Sequence, residues 1–209
     1  MVPGLDGREA LQRAVEEAST RALGAHSASS DCHPPSLSGP WPRAKAAHPG
    51  GAKQASDAAP LTLSVPAIGI DSPLVELGRN PDGSVEVPSL DDPEARPGWY
   101  RDSPTPGSLG PAIILGHVDS RRYGPGVFYH LADLRPGDQV DVSRADGTVA
   151  RFAVDGVQEV AKRDFPTLAV YGNLDHAGLR LITCGGEFDP DAGSYESNII
   201  VFASLVGIG

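Results

Sequence analysis

From Leu61 onward the chain is a succession of short apolar runs, rich in β-branched residues and separated by Gly, Pro, Asn or Asp. The runs are LTLSVPAIGI, SVEVPSL, PAIILGHVDS, DQVDVS, TVARFAVDGV, LRLITCGG and SNIIVFASLV. Several alternate between apolar and polar residues, which is the pattern of a half-buried strand. Because they recur at intervals of about 10 to 20 residues without regular helices between them, they predict an all-β, mostly closed barrel or sandwich rather than a parallel α/β sheet.

A hairpin and one helical turn can be placed within this region. The alternating runs around Val142 and Phe152 flank Arg144-Ala145-Asp146-Gly147, in which Asp-Gly favours the positive φ angles of a tight turn. We expect these two runs to pair as a β-hairpin. The one helical turn that the sequence predicts in the domain is Val127–Leu131.

The chain before Leu61 has a different composition. From His26 to Ala59 it consists largely of Ser, Pro, Gly, Ala and His, with almost no large aliphatic residues. Such a segment cannot bury enough apolar surface to offset the entropy lost on ordering. We therefore expect residues 1–59 to form a flexible, disordered N-terminal tail, in which Asp6 could cap a short helix, and residues 60–209 to form the folded domain.

The net charge of the chain lies in the domain. Residues 1–58 carry six Lys or Arg and six Asp or Glu, so the formal net charge of -10 falls on residues 59–209. An acidic domain lacks the clustered cations that bind phosphates, so we expect no nucleic-acid partner. No apolar run is long enough to span a membrane, and the N-terminus lacks a charged start followed by an apolar core, so neither a membrane anchor nor a signal peptide is visible.

Two strand ends carry residues that could perform chemistry. Cys184 ends the run LRLITC, and we expect the two glycines after it to end the strand and leave the thiol open to a substrate. His117 follows the run PAIIL, and Asp119, two residues later, could orient its imidazole. Each residue alone is more often structural, Cys184 as a small core side chain and His117 as a loop residue. Together they would form a thiol–imidazole pair, in which the imidazole takes the proton of a nucleophilic thiol.

Metal binding is the other common use of Cys and His. The chain has two cysteines, Cys32 and Cys184, which are too few for a disulfide framework or a structural zinc site. Neither cysteine is spaced from a histidine as paired zinc ligands are. We therefore expect no metal site, and nothing in the sequence demands more than a monomer.

Taken together, these motifs resemble those of the sortases, the cysteine transpeptidases of the bacterial surface, and most of all the class F actinobacterial branch. The resemblance extends from about Leu61 to Leu205. It is carried by Val65-Pro66-Ala67-Ile68-Gly69-Ile70, Gly98-Trp99-Tyr100, Gly116-His117-Val118-Asp119-Ser120, Phe165-Pro166-Thr167, Leu181-Ile182-Thr183-Cys184-Gly185-Gly186 and Asn198-Ile199-Ile200-Val201-Phe202-Ala203. It implies a closed eight-stranded sortase β-barrel with short helical turns as the catalytic domain, which agrees with the all-β prediction.

The resemblance also implies a reaction. Cys184 would attack the carbonyl after the threonine of a Leu-Pro-x-Thr-Gly-like sorting signal and form a thioester. His117 would act as acid and base, first protonating the leaving amine and later deprotonating the incoming one. The partners would be the sorting signal of a surface protein and an amine acceptor on a cell-wall precursor or another protein. No cofactor is implied, and the location would be extracytoplasmic, at the cell envelope.

The resemblance is incomplete at the arginine that sortases place near the start of the last strand, where it holds the substrate and stabilises the oxyanion. Here the segment reads Ser194-Tyr195-Glu196-Ser197-Asn198-Ile199, so the position falls on Glu196, Ser197 or Asn198. The side-chain amide of Asn198 could donate to an oxyanion. The carboxylate of Glu196 would raise the pKa of the Cys184 thiol and repel the developing negative charge.

An arginine from elsewhere could take this place. Arg101, Arg121 and Arg122 are predicted to border the cleft, whereas Arg180 shares the strand side of Cys184 but lies about 13 Å from it along the strand. We expect activity that is retained but reduced. Two alternatives remain: a catalytically weakened, sortase-like module that binds the peptide without turnover, and a cysteine peptidase in which water resolves the thioester.

Overall fold

The computed structural model describes residues 57–81, 84–191 and 193–209, so the predicted tail and its short helix lie almost entirely outside the described residues. The first strand begins at Pro60. The strands are β1 (Pro60–Val65), β2 (Ile70–Pro73), β3 (Val75–Leu77), β4 (Gly98–Tyr100), β5 (Gly110–Leu115), β6 (Asp119–Ser120), β7 (Gly124–Pro125), β8 (Gln139–Arg144), β9 (Val149–Ala161), β10 (Ala177–Asp189) and β11 (Ser194–Ile208). All except β6 and β7, which form a small ribbon, belong to one sheet.

The large sheet closes through a single extended segment. Its strand order is β2-β1-β8-β9-β11-β10-β5-β4-β3, so β2 and β3 lie at opposite edges although only Leu74 separates them in the chain. The Leu74 N–H donates to Leu61 O at 2.8 Å, and the next N–H, of Val75, donates to Pro97 O at 3.0 Å. One continuous segment thus joins both edges. With β2 and β3 counted as its two halves, the barrel has eight strands, which confirms the predicted fold.

Side chains pack on both faces of this sheet. The inner cluster includes Leu63, Ile114, Phe128, Phe152, Leu181 and Val201. The outer cluster includes Leu77, Leu115, Phe165, Val170, Ile182 and Ile200. The short helix α1 (Thr167–Tyr171) supplies Val170 to the outer cluster. Because both faces are covered, the central strands β5 and β10 are continuous apolar runs rather than alternating ones.

The predicted hairpin is confirmed. Strands β8 and β9 pair antiparallel, with Val140 opposite Phe152 and Val142 opposite Ala150. Gly147 adopts a φ of +81°, the left-handed conformation that the Asp-Gly turn predicts, and its N–H donates to Arg144 O at 3.0 Å.

Helical turns are more numerous than the sequence predicts. The turn predicted at Val127–Leu131 becomes a 3-10 helix only at Leu131–Asp133, and further short turns occur at Pro66–Ile68, Lys162–Asp164 and α1. The run LTLSVPAIGI is therefore not one strand, because Pro66 cannot donate to a ladder and begins a 3-10 turn that Gly69 ends in the left-handed conformation. In the described part of the chain, no helix is long and apolar enough to cross a membrane.

The run SVEVPSL also departs from its predicted strand. It forms one isolated bridge, between Arg79 and Val85, and neither residue belongs to a strand of the sheet. Beyond it, Val87 packs against Cys184 of β10, on the face of the strand that does not point into the barrel. This run therefore covers the sheet instead of extending it.

The two leucines of β1 test the inner core. We expect Leu63→Ala to lower the free energy of unfolding by about 2–5 kcal/mol, because Leu63 is 0% exposed and its removal leaves a cavity. Leu61→Ala is the matched control, since Leu61 is 52% exposed, and should change it by less than about 0.5 kcal/mol. Urea unfolding of both variants measures the difference, and equal losses would contradict the assigned register of β1.

Candidate active site

Cys184 lies on β10, between β11 and β5, and His117 follows the end of β5. In the antiparallel pair β10–β11, Cys184 lies opposite Asn198, which in turn lies opposite Val160 of β9. On the other side of β10, the parallel register pairs Ile182 with Leu115, and the N–H of the next residue, Gly116, donates to Ile182 O at 3.1 Å. Strand β5 ends at Leu115, and His117 follows two residues later, just as Cys184 follows Ile182 on β10. The parallel pairing therefore directs the predicted thiol and imidazole toward the same end of the two strands.

Local packing fixes the end of β5 that carries His117. A side chain at Gly116 could not fit, because an added Cβ would lie 2.5 Å from Cδ2 of the buried Phe128 ring. The Phe128 N–H donates to His117 O at 3.1 Å. The chain after His117 thus turns back, and Phe128 anchors the end of the strand from inside the barrel.

The two glycines after Cys184 act differently from the prediction. Strand β10 does not end there but continues to Asp189, with a bulge in its pairing to β11 between Gly185 and Phe188. Gly186 adopts a φ of +78°, which an L side chain rarely accepts, so it is the residue that allows the bulge. The predicted strand end is wrong, because the pairing partner β11 extends past it.

The face of Cys184 is also not open, as the sequence led us to expect. Cys184 is 3% exposed and packs against Val87. The neighbouring residue, Pro88, contacts His117, whose Nε2 lies 2.7 Å from Pro88 O. Because a carbonyl oxygen only accepts, Nε2 carries the proton and donates it to this bond. Two consecutive residues, Val87 and Pro88, therefore cover the thiol and the imidazole together, and we call them the cover.

Burial and nearby charges determine the ionisation of the thiol. Burial raises the pKa of Cys184 from 9.0 to about 11. Among charged groups, the ammonium of Lys162 lowers this pKa and the carboxylate of Asp119 raises it. Asp119 does not stand alone, since Tyr195 of β11 donates its hydroxyl to Asp119 Oδ2 at 2.5 Å. Burial, followed by this bond, raises the pKa of Tyr195.

Asn198 is the most unusual polar residue of the site. It is 0% exposed, and neither its Oδ1 nor its Nδ2 has a hydrogen-bond partner in the described part of the chain. Buried polar atoms are normally paired, and leaving one unpaired costs about 1–3 kcal/mol. Asn198 therefore holds an unused donor and an unused acceptor at the position directly across from Cys184.

Glu196 is the other residue that the sequence offers for the position of the missing arginine, and it does not lie opposite Cys184. It is exposed on β11, next to the bulge of β10. The carboxylate that raises the pKa of Cys184 is that of Asp119. The inhibitory role of Glu196 stays a prediction.

The arginines considered as substitutes have other partners or are exposed. Arg101 pairs with Glu76 at 3.3 Å, Arg122 lies 3.8 Å from Asp91, and Arg121 is exposed. The fourth, Arg180, is buried on β10; its Nη1 donates to Leu179 O at 3.0 Å and its guanidinium lies 4.6 Å from the centre of the Phe202 ring. Burial lowers the pKa of Arg180 to about 10.

Three parts of the site are not predicted by the sequence: the cover, the bond between Tyr195 and Asp119, and Lys162. Only Asp119 carries a signal, its position two residues after His117. The cover and Lys162 come from runs that carry no motif of their own. Among residues 57–81, 84–191 and 193–209, no group of three or more His, Cys, Asp or Glu is placed to bind a metal.

Comparison with known proteins assigns this chain to a family. The sequence model of the Sortase domain matches residues 63–206. No match is found among curated protein sequences. Among solved structures, the fold is similar to those of several sortases, at 13% to 22% sequence identity.

A Clostridium perfringens sortase D5 transpeptidase aligns with a TM-score of 0.51 and 21% identity over 71% of this chain and 79% of that one. The SrtA sortase of Actinomyces oris aligns with a TM-score of 0.52 and 22% identity over 77% and 87%. Sortase A of Corynebacterium diphtheriae aligns with a TM-score of 0.53 and 21% identity over 73% and 62%. At these identities the structures establish the fold, and the match of the Sortase domain over more than half of the residues establishes that this chain belongs to the sortase family.

Proposed function

We propose that this sortase is a class F cysteine transpeptidase that cleaves a Leu-Pro-x-Thr-Gly-like sorting signal and transfers the acyl part to an amine. The observation that supports the proposal is that two consecutive residues, Val87 and Pro88, contact Cys184 and His117 respectively. A thiol with an imidazole nearby is what thioester chemistry requires.

The first half-reaction forms the thioester. The Cys184 thiol gives its proton to His117, and the thiolate attacks the carbonyl carbon of the bond after threonine. The tetrahedral intermediate collapses as the C–N bond breaks, and the leaving nitrogen takes the proton from the His117 imidazolium. The acyl group is then held on sulfur, and no electrons have been exchanged with a cofactor.

The second half-reaction transfers the acyl group. An amine gives a proton to His117 and attacks the thioester carbonyl, after which the C–S bond breaks and the thiolate returns. A thioester keeps enough acyl-transfer potential for an amide to form. In the cell the amine would belong to a cell-wall precursor or another protein, and the reaction would take place at the envelope, where sortases act.

Asn198 fits the place of the arginine that the chain lacks. Its unpaired Nδ2–H group lies on the strand next to Cys184, where it can donate to the oxyanion that forms as the sulfur attacks. An amide supplies a dipole but no charge, so it stabilises the anion less than a guanidinium does. We therefore expect slower turnover than an arginine would support.

The cover must move before the reaction starts. While Val87 lies on Cys184, a peptide carbonyl cannot approach the sulfur, and while Nε2 of His117 donates to Pro88 O, that nitrogen cannot exchange a proton with a substrate. Substrate binding must therefore displace both residues of the cover.

Formation of the thioester is the first test. Incubation with a Leu-Pro-x-Thr-Gly-type peptide should give an acyl adduct by intact-protein mass spectrometry, and added glycine amide should convert it to ligated peptide. Cys184→Ala should give neither. Adduct that is lost only by hydrolysis would identify a cysteine peptidase, and peptide binding without adduct would identify a binding module.

A second test separates the function of Asn198 from its role in stability. We expect Asn198→Ala to lower kcat by about 10²–10³-fold, as the loss of an oxyanion donor does. Stability should stay equal or increase, because the variant removes two unpaired buried atoms. Asn173→Ala, at an exposed loop residue after α1, is the matched control for both measurements. Loss of stability with unchanged kcat would show that Asn198 is structural.

The cover is tested by chemical access to the thiol. In a Cys32→Ala background, Val87→Ala should speed alkylation of Cys184 by iodoacetamide several-fold at every pH, because it shortens the side chain that covers the sulfur. Val206→Ala, at an exposed valine of β11, should have no effect. Equal rates in the two variants would mean that Val87 does not limit access.

A further inference from the structure

The site needs a positive charge that its motifs do not supply. Both the Cys184 thiolate and the tetrahedral intermediate built on it are anionic, and while the cover is in place Cys184 is 3% exposed, so water does not solvate the thiolate. Asn198 offers only a dipole. The last strand β11 holds no arginine, and Arg180, on the same strand as the thiol, is occupied by Leu179 O and the Phe202 ring.

Strand β9, on the far side of β11 from Cys184, ends near the site that lacks a positive charge. Val160 of β9 lies opposite Asn198, which lies opposite Cys184, and Ala161 lies opposite Ser197. Lys162 is the next residue, the first of a 3-10 helix that follows β9 directly. Val160 is thus two strands, about 10 Å, from Cys184, and Lys162 starts two residues beyond it on the same side of β11. A lysine side chain is long enough to carry its ammonium over part of that separation.

Burial and chemistry distinguish Lys162 from its neighbours. Lys162 is half-buried, whereas Arg163 and Asp164 are exposed and pair with each other at 3.3 Å. A half-buried ammonium is screened less by solvent than an exposed one, so its field reaches further into the site. In agreement, the charge of Lys162 lowers the pKa of Cys184 against the effect of burial.

Other titratable groups lie near the thiol on the elements that pack around it. They are His117 after β5, Asp119 of β6 and Tyr195 of β11, while the cover contributes only apolar side chains and a carbonyl. Asp119 opposes Lys162, because its negative charge raises the pKa of the thiol. Three exposed carboxylates lie beyond, at the bulge: Glu187, Glu196 and Glu159 of β9, whose Oε1 would lie 3.0 Å from a Cβ at Gly186.

We propose that Lys162 supplies, from the end of β9, the positive charge that stabilises the Cys184 thiolate and the anionic intermediate, in place of the absent arginine. This inference deepens the proposed function and rests on it for the second of these roles. Lys162 acts across space on the sulfur. It therefore stabilises negative charge on the sulfur through its electric field, and it neither donates nor accepts a proton in the reaction.

The test follows alkylation of Cys184 by iodoacetamide against pH, in a Cys32→Ala background and without substrate. Lys162→Met should move the profile about one pH unit upward, because the thiolate loses a stabilising charge. Below the midpoint, at pH 8, this shift appears as a rate about tenfold lower. Lys162→Arg keeps the charge and should restore most of the rate, and the exposed control Arg163→Met should match the parent.

Asp119→Asn gives the opposite sign. Removal of a negative charge beside the thiol should move the profile downward and speed alkylation at pH 8. Rescue by Lys162→Arg, together with the opposite sign of Asp119→Asn, separates a change of charge from a change of access such as that in Val87→Ala. Lys162→Gln is a second neutral variant and should shift the profile as Lys162→Met does. Urea unfolding of each variant checks that the fold is retained.

The inference and the proposed function can fail separately. If the Lys162→Met profile coincides with that of the parent in folded protein, the inference is overturned whatever the enzyme does. If the profile shifts but no peptide forms an adduct, Lys162 is confirmed as the charge that acts on the thiol and the transpeptidase proposal fails. If both hold, Lys162→Met should also lower kcat, with Lys162→Arg restoring it.

Discussion

The site depends on the position of β10 between a parallel and an antiparallel neighbour. The parallel pairing with β5 directs His117 toward the end of β10 that carries Cys184, and the antiparallel pairing with β11 sets Asn198 opposite Cys184 on the other side. A slip by one residue in either pairing would turn the partner's side chain to the opposite face. The apolar packing on both faces of β10, with Leu181 inside the barrel and Ile182 outside, makes such a slip costly.

The same burial that fixes the register acts against the chemistry. A thiol whose pKa is raised to about 11 is almost wholly protonated at neutral pH, and a thiol is a far weaker nucleophile than a thiolate. Substrate entry must therefore change the surroundings of the sulfur as well as uncover it. The proposed contribution of Lys162 and the unpaired amide of Asn198 both act in that direction, since each stabilises negative charge at a position that water does not reach.

Much of this fold could be predicted from the sequence, because its signals are local. Period-two runs and the Asp146-Gly147 turn predicted the strands and a hairpin, and the strand ends predicted Cys184 and His117 as a pair. The cover could not be predicted, since Val87 and Pro88 read as part of a strand until the long-range path of the chain is known. Lys162 was missed for a related reason: its relation to the sulfur passes across β11 and not along the chain.

One atom of the cover bears on how the site opens. Pro88 offers His117 a carbonyl oxygen, so the bond needs a proton on Nε2 and is indifferent to whether Nδ1 is protonated. The nitrogen that would serve a substrate thus already donates to the cover, so a bound peptide must compete with Pro88 O for the same N–H. Where the peptide supplies the free energy for that exchange, the exposure of a reactive sulfur is tied to the presence of something for it to react with.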